Sequence, residues 1–402
     1  MSGRETRRST VSIRIRLLAV AAVLTFSAVV LAGQLLRLGL SGPGETRTAS
    51  AEPIARTFAR PDIVDRNGRI VATDVAANSL FADPSLVLDR DEVAEKLARA
   101  LPGLEADELR RLLADRSRRF VWIRRGLAPV EAQRVHDLGL PGLGFRREPK
   151  RVYPGGELIG HLLGQVTPDN KGVSGIEKHL DETGGIEAVQ GATASAAQPV
   201  RLTIDLGVQH AVADELAAAA ALYQAAGASG LVMEAATGAI VAAASWPPID
   251  PNVPGAALDA ARPDRLQGGV YELGSIFKAL TVAMLLDERL ATLDKVYDVT
   301  RPLVLGAHQI RDLHAVGRPL TVRDIFIHSS NVGAALMALE AGTPRQLVFL
   351  ARMGLTEPLR TEAGPVAPPL LPPRWGEVET ATIGYGHGIA VAPLQVAAAM
   401  AT

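Results

Sequence analysis

The chain has 402 residues, enough for two or three domains, and a formal net charge of −1 that gives no basis for nucleic-acid binding. It contains no cysteine, which excludes disulfides, thiol catalysis and cysteine metal sites. Its 8 histidines are scattered without metal-ligand spacing, so neither a metal nor a cofactor is expected.

Residues 1–16 are polar and carry Arg4, Arg7, Arg8, Arg14 and Arg16 against one acid, Glu5. Residues 17–36 then run without a charge. About twenty residues at ~1.5 Å rise span roughly 30 Å, one bilayer core. The arginine excess predicts a single-pass anchor with residues 1–16 as a cytoplasmic tail. The bulk of the chain is then periplasmic, on the outer side of a cell inner membrane. A cleaved signal peptide fits less well, because Ala49-Ser50-Ala51, a small-x-small site, sits well beyond the apolar run.

A linker rich in Gly, Ser, Thr and Ala leads to Asp62-Ile63-Val64-Asp65-Arg66-Asn67-Gly68, which predicts two strands across an Asn-Gly turn. Residues 89–114 show a helical stripe of Val93, Leu97, Leu101, Leu109, Leu112 and Leu113, split by Pro102-Gly103. A short strand at Val121-Trp122-Ile123 and a helix over 129–138 follow. Residues 146–153 are strongly basic, and 155–175 read as a glycine-punctuated loop. His161 and Glu177 are ligand types, but a structural role suits both better. The small, polar stretch 183–199 marks the end of a first extramembrane domain, 37–199.

The second domain, 200–402, opens with a strand at 200–204 and a helix capped by Asp205, with Val208, Val212 and Leu216 at i, i+4 and i+8. Residues 230–233 and 239–244 form an apolar hairpin. Then comes Tyr271-Glu272-Leu273-Gly274-Ser275-Ile276-Phe277-Lys278, a turn opening into a buried apolar helix. Positions i and i+3 share a helix face, so the Lys278 amine can reach the Ser275 hydroxyl. Serine needs an adjacent base, and a lysine kept neutral by burial can be one. Taken alone, Ser-x-x-Lys also describes a helix cap followed by a surface lysine. Further on, Ser329 and Asn331 in His328-Ser329-Ser330-Asn331 point the same way from an extended loop, Ser329 to relay a proton and Asn331 to hold an amide; a serine-capped helix start is the plainer reading. Ile383-Gly384-Tyr385-Gly386-His387-Gly388 is a glycine-rich turn before a helix at Pro393. His387 there suits a packing role better than that of a base.

Ser-x-x-Lys followed by Ser-x-Asn is the motif pair of penicillin-binding proteins and class A β-lactamases. The 62–68 stretch, Gly156-Glu157-Leu158-Ile159-Gly160-His161 and Asn170-Lys171-Gly172-Val173-Ser174-Gly175-Ile176-Glu177 resemble pedestal motifs of class B penicillin-binding proteins. The 383–388 turn with Pro393-Leu394-Gln395 resembles the septal, FtsI-type branch more than the elongation type. The resemblance implies an α+β chain: a membrane anchor, an elongated, mainly β pedestal (dimerisation-type) domain and a transpeptidase domain. It implies a D,D-transpeptidase that cross-links peptidoglycan stem peptides, with Ser275 as nucleophile, Lys278 as base, Ser329 as shuttle and Asn331 on the substrate. β-Lactams would acylate Ser275, and an FtsW-type glycosyltransferase and other division proteins would be partners. The family's Lys-Thr/Ser-Gly motif does not occur after Asn331. A truncated chain with an impaired catalytic sheet and little activity is the expectation that follows. Pro61 and Leu273 also stand where the family has glycine and proline, and 183–199 looks short. A catalytically silent divisome scaffold, an elongation-type class B penicillin-binding protein, and a β-lactam sensor or β-lactamase are the alternatives.

Overall fold

The computed structural model describes residues 22, 25–30, 32–34, 60–183 and 198–402. Two compact units divide the chain, Met1–Ile54 and Ala55–Thr402. In the first, residues 25–30 and 32–34 are helical. The anchor expected over 17–36 falls mostly outside the described residues, and among those described no helix is long and apolar enough to cross a membrane.

The second unit begins with the predicted hairpin. Strands β1 (Ile63–Val64) and β2 (Ile70–Ala82) pair antiparallel around Asn67-Gly68. Asp65 is the hub of the turn: its buried carboxylate accepts the backbone N–H groups of Asn67 and Arg69, each at 2.8 Å. The helical stripe over 89–114 forms two helices, α1 (Arg90–Ala100) and α2 (Ala106–Leu112), broken where Pro102-Gly103 predicts. Asp89 caps α1 by accepting from Asp91 and Glu92. Val93, Leu97, Leu101, Leu109 and Leu113 pack with Leu80 of β2 in one core. The short strand extends further than expected, as β3 (Val121–Leu127), followed by α3 (Pro129–Asp137) and β4 (Leu143–Val152). The long β2 pairs with β1 at its start, with β4 from Thr73↔Val152 to Ala82↔Leu143, and with β3 from Asn78↔Leu127 to Ala82↔Val121.

Residues 155–175 are not a plain loop, because two short helices, Gly156–Leu158 and Gly160–Leu163, fold within them. Glycine serves there for close backbone approach: a Cβ on Gly164 (φ +72°) would lie 1.9 Å from the Ser174 carbonyl oxygen. Helix α4 (Gly175–Glu182) closes the region. The pedestal is therefore mixed α/β and not mainly β. The helices supply the apolar side chains that bury Leu80 and Ala82, which the sheet alone leaves uncovered.

The predicted strand 200–204 is only β5 (Val200–Arg201), parallel to β1. It ends early because the Asp205 N–H donates to Val241 and the Asp205 side chain turns to cap α5 (Leu206–Tyr223). Strands β6 (Ala228–Met233) and β7 (Ile240–Trp246) form the expected hairpin, a two-stranded sheet. Val212 and Leu216 of α5 lie against it at Gly230. The buried Gln209 stitches α5 down, accepting from Ala243 N–H at 2.8 Å and donating to the Ala243 and Leu158 carbonyls.

Charged residues hold the pedestal together internally. Arg60 Nε and Arg151 Nε grip the two oxygens of Glu177 at 2.8 and 2.6 Å, and Arg151 also reaches Asp74 while Arg60 reaches Asp181. The side chains of Arg60, Glu177 and Arg151 are 0%, 0% and 1% exposed. Removing the shared carboxylate leaves two buried guanidiniums short of a counter-ion, at a cost of about 3–5 kcal/mol. Glu177→Gln is thus expected to lower the thermal unfolding midpoint by that equivalent. A loss below ~1 kcal/mol by denaturant titration would contradict this account.

Candidate active site

Ser275 and Lys278 sit where a single 3-10 turn, Gly274–Phe277, becomes helix α6 (Lys278–Asp287). Phe277, Leu280, Met284 and Leu285 of this stretch are buried in the largest core cluster of the domain. That packing fixes α6 and with it the lysine, whose side chain is only 1% exposed in this apolar setting. Ser275 itself is exposed, although the helix that it opens is buried as the apolar run predicts. The position is favourable for a nucleophile, because an incoming group must reach the oxygen while the base stays dry.

The second strip comes from the opposite side. Helix α7 (Val322–Ile327) ends at His328, and Ser329 takes a left-handed backbone, φ +54°. Ser330 then caps α8 (Asn331–Arg352), accepting from Gly333 N–H at 2.9 Å. The expected extended loop is thus a single left-handed residue, and the serine-capped helix start is also present, one residue on. This turn aims both the carbonyl and the hydroxyl of Ser329 at the lysine. Such a conformation in a non-glycine residue costs on the order of 1–3 kcal/mol and concentrates at functional sites.

Four oxygens surround Lys278 Nζ: the Ser329 carbonyl at 2.6 Å, Asn331 Oδ1 at 2.7 Å, Ser329 Oγ at 2.9 Å and Ser275 Oγ at 3.2 Å. Ser329 Oγ also lies 3.0 Å from Ser275 Oγ. An ammonium has three protons and a neutral amine two protons and a lone pair. In the neutral form, the carbonyl and the Asn331 oxygen can take the two protons, and the lone pair is left for a hydroxyl proton. Burial pushes the Lys278 amine down to about 8, against an opposing pull from the Asp312 carboxylate.

Asp312 is a residue that the sequence reading missed. Its carboxylate accepts from Ser330 Oγ at 2.7 Å and from Val332 N–H at 2.9 Å, so it holds the start of α8 in place. A carboxylate on the first turn of a helix also suits the helix dipole. Nothing in the local pattern around Asp312 marks it, because its partners follow 18 and 20 residues later.

The other candidates stand elsewhere. His161 Nε2 lies 3.0 Å from the Arg262 carbonyl, Glu177 belongs to the pedestal ion cluster, and His387 Nδ1 pairs with Glu272 at 2.8 Å. A cavity of about 790 Å³ opens beside the hairpin, between Leu231, Met233, Leu266 and Leu394, and none of Ser275, Lys278, Ser329 and Asn331 lines it. Among the described residues no cluster of three or more His, Asp or Glu could hold a metal ion.

Comparison with known proteins agrees in both halves. Residues 57–185 match the penicillin-binding protein dimerisation domain, and residues 228–402 match the penicillin binding protein transpeptidase domain. A probable peptidoglycan D,D-transpeptidase FtsI of Caulobacter vibrioides is 40% identical over 342 residues, covering 85% of this chain and 57% of the relative. A probable peptidoglycan D,D-transpeptidase PbpC of Pseudomonas aeruginosa is 30% identical, covering 90% of this chain and 67% of the relative. The crystal structure of penicillin binding protein 2X from Streptococcus thermophilus shares the fold, with TM-score 0.62, 19% identity and coverage of 86% and 58% of the two chains. A transpeptidase domain behind a dimerisation domain defines the class, a two-domain penicillin-binding protein. The chain belongs to the peptidoglycan D,D-transpeptidase family of these proteins. It spans a little over half of the length of the Caulobacter relative.

The lysine environment gives a direct expectation. A carbon-13 NMR titration of the lysine side chains should find one, absent in Lys278→Ala, with a midpoint near 8. Asp312→Asn removes a charge that favours the ammonium, so its midpoint moves lower still. A Lys278 midpoint above about 10, the ordinary lysine range, would contradict the burial argument.

Proposed function

We propose a membrane-anchored D,D-transpeptidase that cross-links peptidoglycan stem peptides during septal wall synthesis, with its anchor, pedestal and nucleophile in this chain. The observation that carries the proposal is the buried Lys278 amine, lowered to about 8 and held 3.2 Å from an exposed serine hydroxyl. At pH 7.5 roughly a quarter of such amines are neutral, against about one in a thousand at the ordinary lysine value.

In the proposed reaction Ser275 Oγ attacks the penultimate D-Ala carbonyl of a stem peptide and gives its proton to Lys278 Nζ. Ser329 Oγ, within reach of both groups, passes a proton to the nitrogen of the departing D-Ala. Asn331 keeps its Oδ1 on the lysine, and its Nδ2 is the group that meets the substrate amide. The amine of a neighbouring stem then opens the Ser275 ester, and its proton returns through Lys278. Backbone N–H groups, that of Ser275 among them, hold the oxyanion. A β-lactam presents a strained amide in the place of D-Ala-D-Ala and stays esterified on Ser275.

The same reading assigns residues 1–16 to a cytoplasmic tail, 17–36 to an inner-membrane anchor, 37–199 to linker and pedestal, and 200–402 to the transpeptidase domain. The charge asymmetry of residues 1–36 supports this orientation. An FtsW-type glycosyltransferase and other division proteins are the proposed partners, supported by the likeness to relatives named FtsI.

The test uses the full-length gene product in membranes with a fluorescent penicillin, followed by mass spectrometry. The drug is expected on Ser275, with no label on Ser275→Ala. Lys278→Ala should slow labelling by about 10²–10⁴-fold, the usual worth of a positioned base. Label that survives Ser275→Ala, or none on the unaltered protein, ends the enzymatic reading and leaves a docking protein.

A further inference from the structure

The glycine-rich turn and His387 are singled out by the sequence, yet the proposed reaction does not use them. The structure shows what they touch. The strip leading to Ser275 runs alongside residues 384–391. Tyr271 and Val391 exchange two backbone hydrogen bonds, at 3.0 and 3.1 Å. Closer to the nucleophile, Gly274 N–H donates to the Gly386 carbonyl at 3.2 Å. Between these two points the backbones do not pair, because Gly386 and Gly388 both take left-handed conformations, φ +79° and +86°, and the turn bulges away.

A side chain fills the gap. Glu272 Oε1 accepts the Gly388 N–H at 2.8 Å, and Glu272 Oε2 lies 2.8 Å from His387 Nδ1. The Tyr385 ring lies parallel to the imidazole, with centroids 6.4 Å apart. The far side of the turn is fixed to the lysine helix, where Thr281 Oγ1 donates to the Gly384 carbonyl at 2.7 Å. The contact is tight: a Cβ on Gly386 would sit 2.1 Å from the Gly274 oxygen.

We propose that Glu272 and His387 form a latch that sets the position of Ser275, with Glu272 as a positioning residue that fixes the glycine turn against the nucleophile's turn. Glu272 lies three residues before Ser275, so a shift of the carboxylate moves the hydroxyl relative to Lys278. In this latch His387 is a clamp partner, acting through the Nδ1 that faces Glu272. The inference rests on Ser275 being the nucleophile.

The latch predicts how variants of the full-length protein separate binding from chemistry. With a chromogenic β-lactam, Glu272→Ala should lower the acylation rate constant about 10- to 100-fold, the scale of a misplaced reacting group. The non-covalent dissociation constant should stay within about twofold. Glu272→Gln keeps an acceptor for Gly388 N–H and restores most of the rate, but loses the charge opposite His387. Glu272→Gln, His387→Ala and the double variant should then show nearly equal, small losses, because each removes the same pair. Hydrogen exchange gives a readout independent of activity: the Gly388 amide is protected in the parent and exchanges quickly in Glu272→Ala. If Glu272→Ala does not fold, the cycle with Glu272→Gln and His387→Ala decides. Additive losses in that cycle, an unchanged acylation rate in folded Glu272→Ala, or an unprotected Gly388 would overturn the latch. Failure of the parent protein to acylate at Ser275 would instead overturn the proposed function, and Gly388 exchange would still report on the latch.

Discussion

A lysine amine withdrawn from water without a carboxylate to bond it is the constraint around which the catalytic domain is arranged. Burial alone would leave such a group costly in either protonation state. The fold meets this with oxygens in place of charge: a backbone carbonyl, a carboxamide and two hydroxyls. These come from two segments, and each needs its own support. The apolar face of α6 anchors the lysine, while Ser330 and Asp312 anchor the start of α8, which brings Ser329 and Asn331 to it. The Asp312 carboxylate spends its oxygens on the helix start and acts on the amine only through space.

The pedestal handles buried charge in the opposite way. Arg60 and Arg151 converge on Glu177, with Asp74 and Asp181 outside them, so positive and negative charges are matched at bonding distance. Burial pulls the Arg151 pKa down, but Glu177 and Asp74 together more than reverse it. The paired cluster serves as structure, whereas the unpaired amine, lowered to about 8, exchanges a proton near neutral pH. The same chain thus shows how pairing separates a joint from a reactive group.

Much of this was legible in the sequence, and the failures have local causes. Asn67-Gly68, Pro102-Gly103 and Asp205 each act within a few residues, so turn, break and cap could be read directly. Ser275 and Lys278 share a helix face, which spacing alone reveals. Ser329 and Asn331 reach the lysine from about fifty residues away, and only the resemblance to a family joined the two motifs. Asp312, Gln209 and Glu272 were missed because each acts on a distant partner, and a lone polar residue leaves no periodic trace. The short helices in 155–175 were hidden by their glycines, which read as loop but serve as points of backbone contact. The apolar run after Ser275 signals the burial of Lys278 and says nothing of the serine, which is exposed.

The joining of Glu272 to Gly388 spans 116 residues of chain. A ribosome making this protein delivers the serine's own helix long before the turn that braces it. Until that turn emerges and docks, the serine's strip has no partner for its Tyr271 and Gly274 amides, and the alcohol is not yet held at its working distance. In the proposed latch, the bracing of the serine is therefore a late event of folding, which waits for the polypeptide from 384 to 391.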